Sequence, residues 1–206
     1  MTSVLIDQIS YSLQDLEKDL WLRLLNGSLR SKASFHTGQI ATLGNEWPEI
    51  RTVVLRKVDT TNHRLFFHTD NRSSKWEQMQ QSPRLSWHFY CDSCRIQMRM
   101  KTTATLHHQN LLTLEKWQQT PLQSRKNYMS AQPPGTTVAI PSDGLPSSEI
   151  FKDLPLSATE SAYSNFSVVE TQVLELDWLW LNQAGQRRAV FKYNDGVLND
   201  AQWILP

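Results

Sequence analysis

The sequence holds no surplus of charge: 21 Lys and Arg stand against 20 Asp and Glu, a formal net charge of +1. A dedicated nucleic-acid or polybasic membrane surface needs a sustained cationic excess, so neither is expected. No apolar run approaches the ~20 residues of a membrane span. The opening MTSVLIDQISYSLQDLEKDL has no basic segment followed by an apolar one. It does not read as a secretory signal, and a cytoplasmic location is expected. Cysteine is scarce, with Cys91 and Cys94 in CDSC. They follow one predicted strand and precede another, so they fall in a turn rather than at the helix start of a thioredoxin-like unit. No second ligand pair stands at zinc spacing, and two ordinary reduced thiols are expected. His107 and His108 are adjacent and do not share a face, so no metal is expected there. Neither G-x-S-x-G nor G-x-G-x-x-G occurs.

What is present is an ordinary soluble composition, 39% apolar and 20% charged over 206 residues. That supports one domain, 1–206, with a sizeable core. Leu13, Leu16, Leu20, Trp21, Leu24 and Leu25 predict a one-sided helix over about 8–25, closed by Asn26-Gly27. Strands are predicted over SFHTGQIATLG, IRTVVLRKV and HRLFFHT, the last two forming a hairpin about DTTN. Ser74 followed by Glu77 reads as a capping box and predicts a short helix ending by Pro83. RLSWHFY and RIQMRMKTTATLH follow as strands. In the second, Gln97, Arg99 and Lys101 alternate with Met98, Met100 and Thr102, so one face is polar. NLLTLEKWQQ and the segment after Pro121 read as helices, and so does SATESAYSNF. The stretch 131–156, with Pro133, Pro134, Pro141, Pro146 and Pro155, is a long loop of the kind that is functional or mobile. VLELDWLWL, RRAVFKY and AQWILP form a closing meander. Sequential strands with short turns predict an α+β, mainly β fold: an antiparallel barrel or sandwich with peripheral helices.

The chemistry-bearing residues gather around one hairpin. Arg51 opens one strand, Thr69 ends its expected partner, and a helix begins near Ser74. A helix N-terminus offers unpaired amides and the positive end of its dipole. With the hydroxyls of Ser73 and Ser74, the guanidinium of Arg51 or Arg72 and the ammonium of Lys75, a phosphate monoester would be well held. Each charge-assisted bond is worth about 1.5–3 kcal/mol. On spacing alone, a solvated strand end beside a capped helix explains the same residues.

RTVVLR, then FFHTDNRSSK, then RIQMRMKTTA, preceded by FHTGQIATLGNEWPEI, resemble successive blocks of the pyridoxamine 5'-phosphate oxidase-like FMN-binding proteins. The likeness runs from about Ser34 to Ala104 and continues in GQRRAVFKY. It implies a six-stranded antiparallel split β-barrel, with the barrel core at about 33–106. A helical pair and the Pro-rich loop would occupy 108–166 and the C-terminal meander 167–206. It also implies a homodimer with FMN held at the subunit interface. By the resemblance, Arg51 and Lys75 hold the FMN phosphate, and Arg72 replaces an Arg that the oxidases carry at the position of Ser74. Thr52, Val53, Val54 and Leu55 line the flavin with backbone groups. Arg56 lies near flavin and substrate, His68 and Thr69 flank the ribityl chain or phosphate, and Ser73 adds a hydroxyl. Gln97 hydrogen-bonds the cofactor, and Trp178 and Arg187 or Arg188 are C-terminal contacts.

The departures bear on the substrate. The oxidases' phosphate-clamping Arg falls on Thr120, a neighbouring Tyr falls near Lys116, and their Arg-Leu-His motif reads Arg187-Arg188-Ala189. Ser124 persists. The expectation is therefore an FMN-dependent oxidoreductase whose substrate is not pyridoxamine phosphate. The alternative is a flavin-binding or storage protein without turnover.

Overall fold

In the computed structural model, residues 3–6, 9–145 and 154–206 are described. The order is β1 (Val4–Ile6), β2 (Ile9–Tyr11), α1 (Leu13–Leu29), β3 (Thr37–Leu43), β4 (Pro48–Val54), β5 (Lys57–Asp59), β6 (Arg64–Asp70) and α2 (Ser74–Gln81). Then come β7 (Arg84–Cys91), β8 (Ile96–His108), α3 (Leu111–Gln119), α4 (Leu122–Arg125), β9 (Phe166–Trp180), β10 (Arg187–Asn194) and β11 (Val197–Ile204). Single 3₁₀ segments cover Lys126–Tyr128 and Leu156–Asn165. β1 and β2 pair antiparallel, and the other strands form one nine-stranded sheet in which β3–β4, β3–β7, β5–β6, β7–β8, β9–β10 and β10–β11 pair antiparallel. The six strands β3–β8 lie in the segment expected to build the barrel core, and the three strands of the C-terminal meander join the same sheet. The fold is the mainly antiparallel α+β split-barrel class. No helix among the described residues is long and apolar enough to cross a membrane.

The chain divides into two compact units. The first comprises 1–67, 83–105 and 170–206, and the second 68–82 and 106–169. In the first, Ile40, Trp87 and Met100 face one another across β3, β7 and β8 and are fully buried. Phe67 and Phe89 flank Trp87, the latter stacked on it at 5.3 Å. In the second, Trp117 is ringed by Tyr128, Tyr163 and Phe166. The segment 131–145 has no helix or strand, while Pro146 lies outside the described residues.

Several elements differ from the sequence expectation. α1 starts at Leu13, where Ser12 caps it by accepting from the Asp15 amide, and it runs through Asn26-Gly27 to Leu29. Gly27 is needed for close approach, not for termination: a Cβ there would stand 2.5 Å from the Phe35 carbonyl oxygen. IRTVVLRKV is two strands. β4 pairs with β3, then Leu55 donates to the His36 carbonyl and Arg56 to that of Phe66, and β5 pairs with β6. The Arg51 strand is therefore not the hairpin partner of the Thr69 strand. The cap of α2 is Ser73 rather than Ser74, and its side chain makes no capping bond. SATESAYSNF folds as a 3₁₀ segment, and the strand expected from Val173 begins at Phe166. The cysteines are joined in a disulfide, against the expectation of free thiols, because the β7–β8 turn brings their Cα atoms to 5.5 Å, within bonding range.

A buried polar cluster ties α1 to two turns of the first unit. Glu17 accepts from Tyr193 Oη at 3.0 Å and pairs with His63 Nε2 at 3.1 Å. Trp21 donates to the same Tyr193 oxygen. His63 Nδ1 faces the Gly196 carbonyl at 2.6 Å. A carbonyl and an ionised carboxylate can only accept, so both ring nitrogens donate and the imidazolium form is matched. Burial pushes His63 down, but bonds to Glu17 and Gly196 and the charges of Glu17 and Asp59 outweigh it and raise its pKa. Burial, reinforced by Glu17, keeps the Tyr193 phenol protonated. A raised folded-state pKa gives stability that is complete below about 6.5, the ordinary imidazole value, and that is lost as pH rises through the folded value. The denaturation midpoint should thus fall across neutral pH, and His63→Gln should flatten that slope. An unchanged slope in the variant would assign the pH dependence elsewhere.

Candidate functional site

In the second unit the end of β6, a tight turn and the start of α2 assemble a cluster of donors. Ser73 Oγ donates to the Asp70 carbonyl at 2.7 Å instead of capping the helix. It also lies 3.3 Å from Thr69 Oγ1, to which Lys75 Nζ donates at 3.3 Å. The first-turn amides of α2 therefore lack a side-chain cap, and a hydroxyl pair and an ammonium stand beside them. That is a chemical fit for a phosphate. Thr69 and Ser73 are buried, Lys75 is half-buried and Ser74 is exposed. Arg72 is engaged differently. Its Nε and Nη2 bind the Asp70 carboxylate at 3.0 and 2.8 Å, and Nη1 donates to the Ser130 carbonyl. The bond to Asp70 raises the Arg72 pKa above its ordinary value, so it stays charged. His68 packs edge-on against Phe166 at 4.8 Å.

In the first unit, Arg51 lies on β4 opposite Ile40. It donates to the Glu49 carboxylate at 2.7 Å, to the Glu49 carbonyl at 3.0 Å and to Thr42 Oγ1. Along β4 and beyond, Val53 and Leu55 are buried while Thr52 and Arg56 are exposed, with Val54 half-buried. Strand pairing places Thr52, Gln39, His88 and Arg99 in one row across four strands. His88 Nδ1 meets Gln39 Oε1 at 3.0 Å and its Nε2 lies 3.4 Å from Gln97 Oε1. Gln97 is on the polar face, as the alternation predicts.

That face continues into a groove of about 420 Å³ lined by His88, Arg99, Lys101, Glu175, Asp177 and Arg188. Asp177 binds Arg99 at 2.5 Å and Arg188 at 2.7 and 3.0 Å. Burial pushes the Asp177 carboxyl up, but Arg188 and Arg99 outweigh it and hold it below the usual carboxylate range. Of the two C-terminal arginines, Arg188 lines this groove, whereas Arg187 is exposed and donates to the Gln186 carbonyl. Trp178 is on the opposite strand face from Asp177, fully buried, and its Nε1 is a donor with no partner among the described residues. An orphaned buried donor fits a missing acceptor.

A family model described as pyridoxamine 5'-phosphate oxidase, FMN-binding domain, matches residues 18–108. Residues 18–108 are thus similar to the FMN-binding domain of the pyridoxamine 5'-phosphate oxidase family. The chain is also similar to solved structures over nearly its whole length. One is a pyridoxamine 5'-phosphate oxidase-related, FMN-binding protein from Nostoc punctiforme, at 24% identity and a TM-score of 0.72, covering 92% of this chain and 96% of that one. Another is PhzG from Burkholderia lata, solved with tetrahydrophenazine-1-carboxylic acid, at 11% identity and a TM-score of 0.71, covering 98% and 100%. At these identities the likeness establishes fold alone. None of the curated proteins compared matches the chain.

Sequence reasoning missed Gln39, His88 and Asp177, which the strand register draws into the polar face of the sheet. Alternation along each strand could have placed them on that face, but not beside Gln97 and Arg188. Thr120, where the resemblance sets the oxidases' phosphate-clamping Arg, is a buried helix cap whose hydroxyl donates to the Lys116 carbonyl.

Proposed function

We propose that the protein is an FMN-dependent oxidoreductase, one domain over 1–206, working in the cytoplasm as a homodimer with FMN at the subunit interface. The observation that carries this reading is the uncapped α2 start with Thr69, Ser73 and Lys75 gathered at it, in a chain matching an FMN-binding family. Lys75, Thr69, Ser73 and Ser74 take phosphate oxygens, with Arg51 as the second cation and Arg72 as a further cation if the phosphate draws it from Asp70. His68 flanks the ribityl chain. The backbone of Thr52, Val53, Val54 and Leu55 lines the ring. Arg56 and Gln97 place positive charge and a hydrogen bond where electron density accumulates. Trp178 and Arg187 complete the contacts, Trp178 supplying an indole N–H that has no partner among the described residues.

FMN when bound supplies the electron transfer; the protein binds, orients and tunes it. Thr120 and the Arg187-Arg188-Ala189 run stand where the resemblance places oxidase substrate groups, so the substrate is not pyridoxamine phosphate. The visible spectrum and mass of the small molecule released on denaturing the purified protein test the cofactor. FMN is the expected species, and protein that neither carries nor takes up FMN overturns the reading. Reduction by NADPH without oxygen, followed by reoxidation with a panel of acceptors, tests catalysis. Absence of turnover with every acceptor would favour flavin storage, the reading motivated by the altered substrate positions.

A further inference from the structure

The disulfide at the β7–β8 turn is the feature that a flavin role does not use. The turn does not depend on it. β7 and β8 pair continuously from Arg84–Thr103 to Cys91–Ile96, and the Arg95 carbonyl accepts from the Leu181 amide. A ring closed over a sequence separation of 3 also constrains the unfolded chain little. The two sulfurs differ in access: Cys91 is 3% exposed, whereas Cys94 is half-buried. Beside both lies a recess of about 280 Å³ lined also by Arg23, Lys32, Ser34 and Ser93. Lys32 is exposed, and Arg23, paired with Asp19 at 2.6 Å, has its pKa raised and stays charged.

We propose that Cys91 and Cys94 form a reversible thiol–disulfide exchange site for a small anionic thiol of the carboxylate-bearing class. The incoming thiolate attacks Cys94 Sγ, the accessible sulfur. The Cys94–Cys91 bond breaks and its electron pair goes to Cys91 Sγ. There the Cys94 amide donates at 3.1 Å and the Ser93 hydroxyl stands at 3.5 Å. Donors at the leaving sulfur stabilise the thiolate and speed exchange. A second thiol attacks the small-molecule sulfur of the mixed disulfide and releases Cys94. Two thiols become one small disulfide, two protons pass to the cysteines, and the protein disulfide becomes a dithiol. Lys32 and Arg23 select for negative charge on the incoming thiol.

The test is incubation of the purified full chain in buffers of reduced and oxidised glutathione, followed by alkylation and intact mass measurement. The wild type should interconvert between disulfide and dithiol while its circular dichroism stays native. Cys91→Ser should retain one glutathione on Cys94. Cys94→Ser should react about tenfold more slowly, because burial restricts access to Cys91. Lys32→Glu should slow exchange with glutathione about fivefold and leave exchange with neutral β-mercaptoethanol unchanged. Three results would each overturn the proposal: thiols that stay unpaired in oxidised glutathione, a disulfide that resists reduced glutathione until the protein unfolds, or a Lys32→Glu effect equal for both thiols. The wild-type measurement decides even if a cysteine variant fails to fold.

Discussion

Replacing Arg125 with leucine is expected to destabilise the protein by about 2–4 kcal/mol, from an unmet buried carbonyl and a lost cation–π contact. Arg125 is 1% exposed. Its Nε donates to the Thr120 carbonyl at 3.0 Å and its Nη2 to the Trp117 carbonyl at 2.7 Å, while Nη1 binds Glu160 at 2.5 Å. The guanidinium also lies 4.5 Å above the Trp117 ring. Leucine fills much of the space but leaves the Thr120 carbonyl without its side-chain donor, at a cost of about 1–3 kcal/mol, while the Trp117 carbonyl keeps only the Thr120 amide. Lysine keeps the charge but cannot reproduce the planar fork, so Arg125→Lys should recover less than half of the loss. Glu160 behaves differently, because its side chain is 55% exposed. Water replaces its contact, and Glu160→Gln should cost about 1 kcal/mol or less. Denaturant unfolding of the three variants measures this order. Equal effects at Arg125 and Glu160 would show that the pair, rather than the carbonyls, carries the stability.

The second large effect concerns the cofactor. Arg51→Ala combined with Lys75→Ala is expected to weaken FMN binding by about 3–5 kcal/mol, a hundredfold or more, through loss of two charge-assisted contacts. Riboflavin has no phosphate, so its binding should change little, and the ratio of the two affinities isolates the phosphate term. Arg51 contributes only if it can leave Glu49. Glu49 is 46% exposed at the side chain, and surface ion pairs are worth about 0–1 kcal/mol. A phosphate dianion should therefore draw Arg51 away from it. Titration calorimetry or flavin fluorescence reads both affinities. If Lys75→Ala alone gives the whole loss, Arg51 is a structural partner of Glu49 and Thr42. If the double variant binds FMN as the wild type does, the phosphate lies elsewhere.

How far the chain could be read in advance varied by element. The 3.6-residue spacing of leucines located α1, but not its end. Gly27 looks like a stop, but it is required by the close approach of the Phe35 carbonyl, which the local sequence of the helix does not show. IRTVVLRKV carries uninterrupted strand propensity, so nothing local marks the change of partner at Leu55–Arg56. That change is enforced by bonds to His36 and Phe66. The Ser73–Lys75 cluster was legible because a helix start and its hydroxyls are neighbours in sequence. Arg125 was not, since a lone arginine in PLQSRKNYM looks like a solvated helix face until Trp117 and Glu160 close over it.

Alternating polarity and periodic leucines are local properties, and they already specified an antiparallel, mainly β protein, the polar face bearing Gln97 and the donors around Lys75. Pairing between distant strands is not local: hydrophobic patterning says which face is buried, never which strand lies alongside. The joining of Gln39 to His88 and of Asp177 to two arginines therefore emerged once the backbone hydrogen bonds had chosen their partners.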